Sequence, residues 1–147
     1  MNTTHDIKRI RKITSSSSKE TMDIGKALAS ELKSGDIIYL DGELGSGKTV
    51  FVKGVCMGLG VEEEVTSSSF VIATEYEGHV PVVHIDLYRL DKQALDMLLI
   101  DEYFIEDGIT VIEWADRLDA KSIAGIYVKI VIDEQKKREL TIENLRD

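Results

Sequence analysis

Cysteine and proline are almost missing from this chain. With Cys56 alone among 147 residues, neither a disulfide framework nor a cysteine-based zinc set can be built. Cys56 falls in an apolar, helix-like stretch and reads as a buried structural thiol. Pro81 is the single proline, and no segment is rich enough in Pro or Gly to split the chain into domains. No apolar run approaches the ~20 residues that a bilayer crossing needs. The N-terminal M-N-T-T-H-D-I-K-R-I-R-K is basic but lacks the apolar core of a signal peptide, so a reduced, cytoplasmic setting without membrane attachment is expected. Basic residues are the minority, 18 Lys and Arg against 27 Asp and Glu, for a net charge of −9. That argues against a broad basic surface able to hold RNA or an anionic membrane unaided.

What is present suits one domain over residues 1–147, near the modal domain size. Ile7–Ser15 mixes basic and apolar residues, and residues 1–14 read as an N-terminal extension or an edge strand. Ser17 with Glu20 three residues on fits a capping box, opening a helix expected to run to about Lys33, with Gly35 at its exit. Ile37–Leu40 is apolar throughout, as a strand covered on both faces should be. Lys48–Leu59 reads as a helix ended by Gly58 and Gly60, and Val61–Ser69 as a loop. Phe70–Tyr76 and Pro81–Asp86 read as a hairpin turning at Glu77–His79. Lys92–Ile100 is expected to be helical, Asp101–Asp107 an acidic connector and Ile109–Trp114 a strand. Gly125–Ile132 and Glu139–Glu143 make two last strands around the charged turn Asp133–Lys137. The alternation implies an α/β fold with a largely parallel sheet, antiparallel pieces at its edges and flanking helices.

The chemistry begins at Gly42–Thr49. G-E-L-G-S-G-K-T matches G-x-x-x-x-G-K-[ST], the phosphate-binding loop of nucleotide-hydrolysing proteins, and it lies between a strand and a helix as that loop must. Glycines let the backbone curl with its N–H groups inward. The helix that follows adds the partial positive charge of its N-terminus. Lys48 is placed to reach the outer phosphates and the Thr49 hydroxyl to hold Mg²⁺. Asp86 closes the apolar strand V-V-H-I-D and Glu113 closes T-V-I-E, at carboxyl ends where ligands of open α/β sheets collect. Either carboxylate can bind the metal or orient a water. His84, taken to face away from the surroundings of Asp86, reads as a satisfied core histidine. Thr66, Ser67 and Ser69 lie in a hydroxyl-rich stretch where nucleotide switches carry a Ser or Thr near the terminal phosphate. Lys136, Lys137 and Arg138 form a tight basic cluster that could meet a phosphate or a base, or simply be a solvated turn. Trp114 suits either the core or a partner surface.

Several segments together resemble the TsaE family, the bacterial ATPase component of the system that makes threonylcarbamoyladenosine in tRNA. They are G-E-L-G-S-G-K-T-V-F-V-K-G, V-T-S-S-S-F, E-Y, H-I-D-L-Y-R-L, D-E-Y-F and I-E-W, in the family's order between about Ser15 and Leu118. H-I-D-L-Y-R-L is the specific one, since a generic phosphate-loop protein has no reason to carry it. The resemblance implies a P-loop NTPase-like α/β fold and ATP with Mg²⁺ as cofactors. It implies that Leu44, Gly45, Ser46, Gly47, Lys48 and Thr49 bind the phosphates, with Thr49 and Glu113 at the metal and Asp86 at the nucleotide. Trp114 would lie near the site, Thr66 and Ser67 in a switch loop, and Ser18 and Arg138 beside the nucleotide. It further implies slow, partner-stimulated hydrolysis that regulates TsaD-like and TsaB-like proteins, with tRNA engaged only indirectly. Ser68-Ser69 stands where the family usually has Pro-Thr, so the switch loop here is expected to be more flexible. The alternative from the loop alone is a small nucleoside or metabolite kinase. Such kinases carry an arginine-bearing lid, whereas the arginines here are few and scattered.

Overall fold

Four apolar residues in a row can be hidden only by covering a strand on both faces, and Ile37, Ile38, Tyr39 and Leu40 are all buried. They belong to β2 of the computed structural model, which describes residues 10–43, 45–65, 73–115 and 124–146. In chain order the strands are β1 (Ile10–Ser15), β2 (Ile37–Gly42), β3 (Ala73–Glu77), β4 (Pro81–Asp86), β5 (Ile109–Glu113), β6 (Ile126–Ile132) and β7 (Arg138–Asn144). They form one sheet in the order β1-β7-β6-β2-β5-β4-β3. β2 runs parallel to both β5 and β6, and β5 parallel to β4, giving a four-stranded parallel centre. β3 adds antiparallel at one edge, and β7 then β1 at the other. The expected α/β fold with antiparallel edges is therefore the one adopted.

Both faces are covered. Helices α1 (Ser18–Ala29) and α2 (Lys48–Gly58) lie on one, burying Leu28, Phe51, Val52 and Val55 with Val128 and Leu140 of the sheet. On the other, α3 (Lys92–Met97) and a 3₁₀ turn (Ile100–Tyr103) pack Leu95, Leu98 and Ile100 with Val83, Ile85 and Ile112. There the rings of Tyr39 and Tyr127 stack at 4.5 Å. Between α1 and α2 the backbones nearly touch. A Cβ on Gly54 would stand 2.1 Å from the Met22 carbonyl, and one on Gly25 2.4 Å from that of Phe51.

The capping box forms, shifted by one residue on its return arm. Ser17 Oγ accepts the Glu20 N–H at 3.1 Å, and Glu20 Oε1 accepts the Ser16 N–H at 3.1 Å. The helix boundaries differ from expectation in three places. α1 stops at Ala29 and not at Lys33, because its end tightens to i−3 bonds (Glu31 to Leu28, Leu32 to Ala29) before Asp36 takes the Lys33 N–H. Lys92–Ile100 is not one helix. Leu98 and Ile100 both turn into the core while Leu99 is 65% exposed, an alternation that needs the extended backbone found at Leu98. Gly58 does not end α2 by left-handed geometry. It is the last helical residue, seated against Ala29, and Gly60 at φ +85° makes the turn. The switch-loop residues Thr66, Ser67 and Ser69, the first residues of the expected strand from Phe70, and Leu44 lie outside the described residues. Among the described residues no helix is long and apolar enough to cross a membrane.

Candidate functional site

The parallel centre of the sheet brings three strand ends to one place, and a loop leaves each of them. β2 runs out at Gly42, where a Cβ would meet Ser46 Oγ at 2.6 Å and the Ile130 carbonyl at 2.9 Å. The loop then turns through Gly45 at φ +78° and Gly47 at φ +104°, left-handed conformations that favour glycine. Gly47 is the N-cap of α2 and supplies no side-chain cap. The helix N-terminus, with its partial positive charge, is thus left open to an acceptor from outside the chain.

Two cations attend this loop. Lys48 is 6% exposed. Its ammonium donates to the carbonyls of Gly42 and Glu43, the latter at 3.1 Å, and lies 3.7 Å from the ring centroid of Trp114. Arg138, the first residue of β7, donates from Nε to the Ser46 carbonyl at 3.1 Å and from Nη2 to that of Gly45 at 3.5 Å. The turn before it is held by Asp133, whose Oδ1 accepts the N–H groups of Gln135 and Lys137, each at 2.9 Å.

The carboxylates come from the neighbouring strand ends. The β4–β5 register pairs Asp86 with Glu113, and the β2–β5 register pairs Glu113 with Leu40. Asp86 is half-buried and its pKa is raised, first by that burial. The Tyr88 N–H at 3.0 Å opposes the rise, Glu113 adds to it, and His84 and Lys48 oppose it. Glu113 is buried, with Oε2 2.5 Å from His84 Nε2. Directly after it Trp114 takes φ +61°, which ends the strand one residue earlier than expected. Its ring lies over Lys48 and 4.8 Å from that of Tyr88.

A cleft of about 320 Å³ joins these parts. Ser18, at the head of α1, lines it together with Gly45, Gly47, Lys48, Thr49, Asp86, Glu113 and Arg138. Ser46 within the loop is buried, and among the described residues its hydroxyl has no hydrogen-bond partner. Trp114 faces the cleft too, and the basic cluster divides: Arg138 reaches it while Lys136 and Lys137 are exposed on the turn. Glu43, Val50 and Tyr88 complete the lining without having been singled out. Tyr88 follows Asp86 by two residues, and a strand-end carboxylate followed by an aromatic was the available signal. His84 requires a correction. Residues two apart in a strand share a face, so it points the same way as Asp86, and it is satisfied by Glu113.

Chemically the cleft offers backbone donors and two cations for an anion, and a hydroxyl beside two carboxylates for a hard cation. Among the described residues no three of His, Cys, Asp and Glu converge as a ready-made metal cage. A hydroxyl and a carboxylate here could serve a cation only together with oxygens from a ligand and water.

Comparison with known proteins gives one consistent result. The family model described as "Threonylcarbamoyl adenosine biosynthesis protein TsaE" matches residues 15–141. The chain is 35% identical to a tRNA threonylcarbamoyladenosine biosynthesis protein of Nostoc sp., over 92% of this chain and 87% of that one. It is 42% identical to the Bacillus subtilis protein of the same name, over 84% of this chain and 78% of the relative. Among solved structures, that of Bacillus subtilis YdiB superposes with a TM-score of 0.74 at 33% identity, covering 92% of this chain and 86% of that one.

Proposed function

The chain belongs to the TsaE family, whose members act in the biosynthesis of threonylcarbamoyladenosine in tRNA, and from that premise we propose that it is a weak Mg²⁺-dependent ATPase that regulates a TsaD–TsaB pair in the cytoplasm. The observation that carries the nucleotide reading is the convergence, in one cleft, of an uncapped helix N-terminus, Lys48, Thr49 and the paired strand-end carboxylates Asp86 and Glu113. The N–H groups around Gly45–Lys48 cradle the phosphates, and Lys48 exchanges its carbonyl contacts for phosphate oxygens. The donor set fits Mg²⁺, which takes one or two protein oxygens and completes its shell from phosphates and water; Thr49 and Glu113 would hold it. Bound there, the ion supplies charge neutralisation at the transferred phosphoryl group. Glu113 or Asp86 orients the water for in-line attack, which forms the new P–O bond as the bond to the bridging oxygen breaks, leaving ADP and phosphate.

The same geometry supports slow turnover. Among the described residues Arg138 is the arginine lining the cleft, and its guanidinium is engaged with the loop carbonyls of Ser46 and Gly45. Arg11 and Arg146 are paired elsewhere, with Glu31 and Asp36. A partner that supplied or freed a cation would therefore accelerate the reaction. Net charge of −9 suits an accessory that leaves tRNA to its partners. Family membership also favours this reading over a small kinase. The test is ATPase turnover of the protein alone and with TsaD and TsaB. Slow turnover alone and faster turnover with the pair is expected, with both lost in Lys48→Ala; equal, fast turnover in the two conditions would sink the regulatory reading.

A further inference from the structure

One buried side chain beside the cleft has no task in the reaction described above. His84 sits inside β4, and the β4–β5 register sets it beside Val111, one pleat short of Glu113 on the same face. Its Nε2 stands 2.5 Å from Glu113 Oε2, and both side chains are 3% exposed. A carboxylate so deeply placed is costly unless hydrogen-bonded. Among the described residues His84 is the partner it has. The bond engages one carboxylate oxygen and not the second, and Glu113 lines the cleft. Fold stability alone gives little reason for the pair. The neighbours on this face, Val82, Ile109 and Val111, are apolar and fully packed. Apolar residues of similar volume in place of a buried polar pair are often neutral or better.

We propose that His84 is a positioning residue for ATP hydrolysis: by clamping Oε2 of Glu113 it fixes the carboxylate so that the other oxygen faces the water and metal of the cleft. This rests on the ATPase reading and adds a named residue to it. The restraint is geometric, so it holds whichever partner carries the shared proton. A groove a few tenths of an ångström looser at Glu113 would leave ATP bound and misplace the water.

The experiment uses the full chain and four variants, His84→Ala, His84→Leu, His84→Gln and Glu113→Gln, with His84→Ala and His84→Leu also made in the Glu113→Gln background. ATP affinity with Mg²⁺ is read by calorimetry, and kcat and KM by phosphate release. His84→Ala should lower kcat about 10- to 100-fold, the usual cost of losing such a support, while the ATP dissociation constant changes by less than about threefold. Gln places an amide N–H near the position of Nε2, so His84→Gln should recover most of the loss. In the Glu113→Gln background His84→Ala should cost nothing further, since a positioning residue acts only through what it positions. Unchanged kcat in a folded His84→Ala overturns the proposal, as does a His84→Ala effect that multiplies with that of Glu113→Gln. If His84→Ala does not fold, His84→Leu, which fills the site without an N–H, takes its place in both backgrounds with the same two outcomes. Wild-type protein that neither binds nor hydrolyses ATP overturns the ATPase reading and this inference together. Wild-type activity with indifferent His84 variants overturns the inference alone.

Discussion

Replacing Gly54 with alanine sets two well-understood effects against each other, and the geometry says which prevails. In an isolated helix the change would stabilise by about 1 kcal/mol, because alanine loses less backbone entropy than glycine. In α2 the new Cβ would stand 2.1 Å from the Met22 carbonyl oxygen, 2.9 Å from its carbon and 3.0 Å from its Cα. Ordinary contact begins at 3.4 Å, so the helices must part by about 1.3 Å. The obstacle is α1 backbone, and no rotamer change relieves it. Overpacking of this kind costs about 1–3 kcal/mol, at its upper end when backbone must move. The net expectation is a loss of about 1–2 kcal/mol, read as a lower urea midpoint with an unchanged slope. Function should suffer as well, since α1 carries Ser18 and α2 carries the phosphate loop, and both line the cleft. Gly25→Ala meets the Phe51 carbonyl at 2.4 Å and would part the same two helices by about 1.0 Å. The double variant should therefore cost less than the two single losses combined. A Gly54→Ala protein as stable as wild type or more so would show that the helices are not in backbone contact, and the reasoning would fail.

Asp86→Asn should stabilise the ligand-free protein while impairing ATP hydrolysis. The folded pKa of Asp86 is raised above the ordinary carboxylate value of 3.8, so the native state resists ionisation, and this penalty is present above the folded pKa and fades as pH falls from there toward 3.8. Thermal melts of the two proteins should accordingly differ at pH 7 and draw together in acid; a constant difference would refute the assignment. Ser17→Ala removes the acceptor of the Glu20 N–H and should cost about 1 kcal/mol in urea unfolding, with no change in ATP affinity beyond that loss. Cys56 is fully buried and its thiol is pushed up to about 12 by that burial, so a thiol reagent at pH 8 should react only as fast as the protein unfolds. Prompt labelling of the native protein would contradict this.

How far the site could be read in advance depended on whether a feature is local in the chain. The phosphate loop is eight consecutive residues between a strand and a helix, and nothing distant is needed to recognise it. Asp86 and Glu113 were visible for a related reason. Each closes an apolar strand, and parallel strands deliver their carboxyl ends to one rim. The hairpin of β3 and β4 and the cap of α1 are equally local. What stayed hidden arises from register and packing. Arg138, which the family resemblance set beside the nucleotide but the residues alone left open as a solvated turn, meets the loop from 92 positions away, after β7 has been laid beside β6 and β6 beside β2. The break at Leu98 exists because Leu98 and Ile100 both face the core with Leu99 exposed between them, a spacing of two that a helix cannot give. His84 is the sharpest case. A lone histidine amid valines and isoleucines looks like core, and it is core by burial. Its partner lies 29 residues on, in another strand, and only the offset that pairs Asp86 with Glu113 sets the ring against that carboxylate. A slip of one residue in this register would turn His84 to the opposite face and leave Glu113 without its hydrogen bond. The alignment that brings the two carboxylates together at the rim is thus the same one that supports one of them from below.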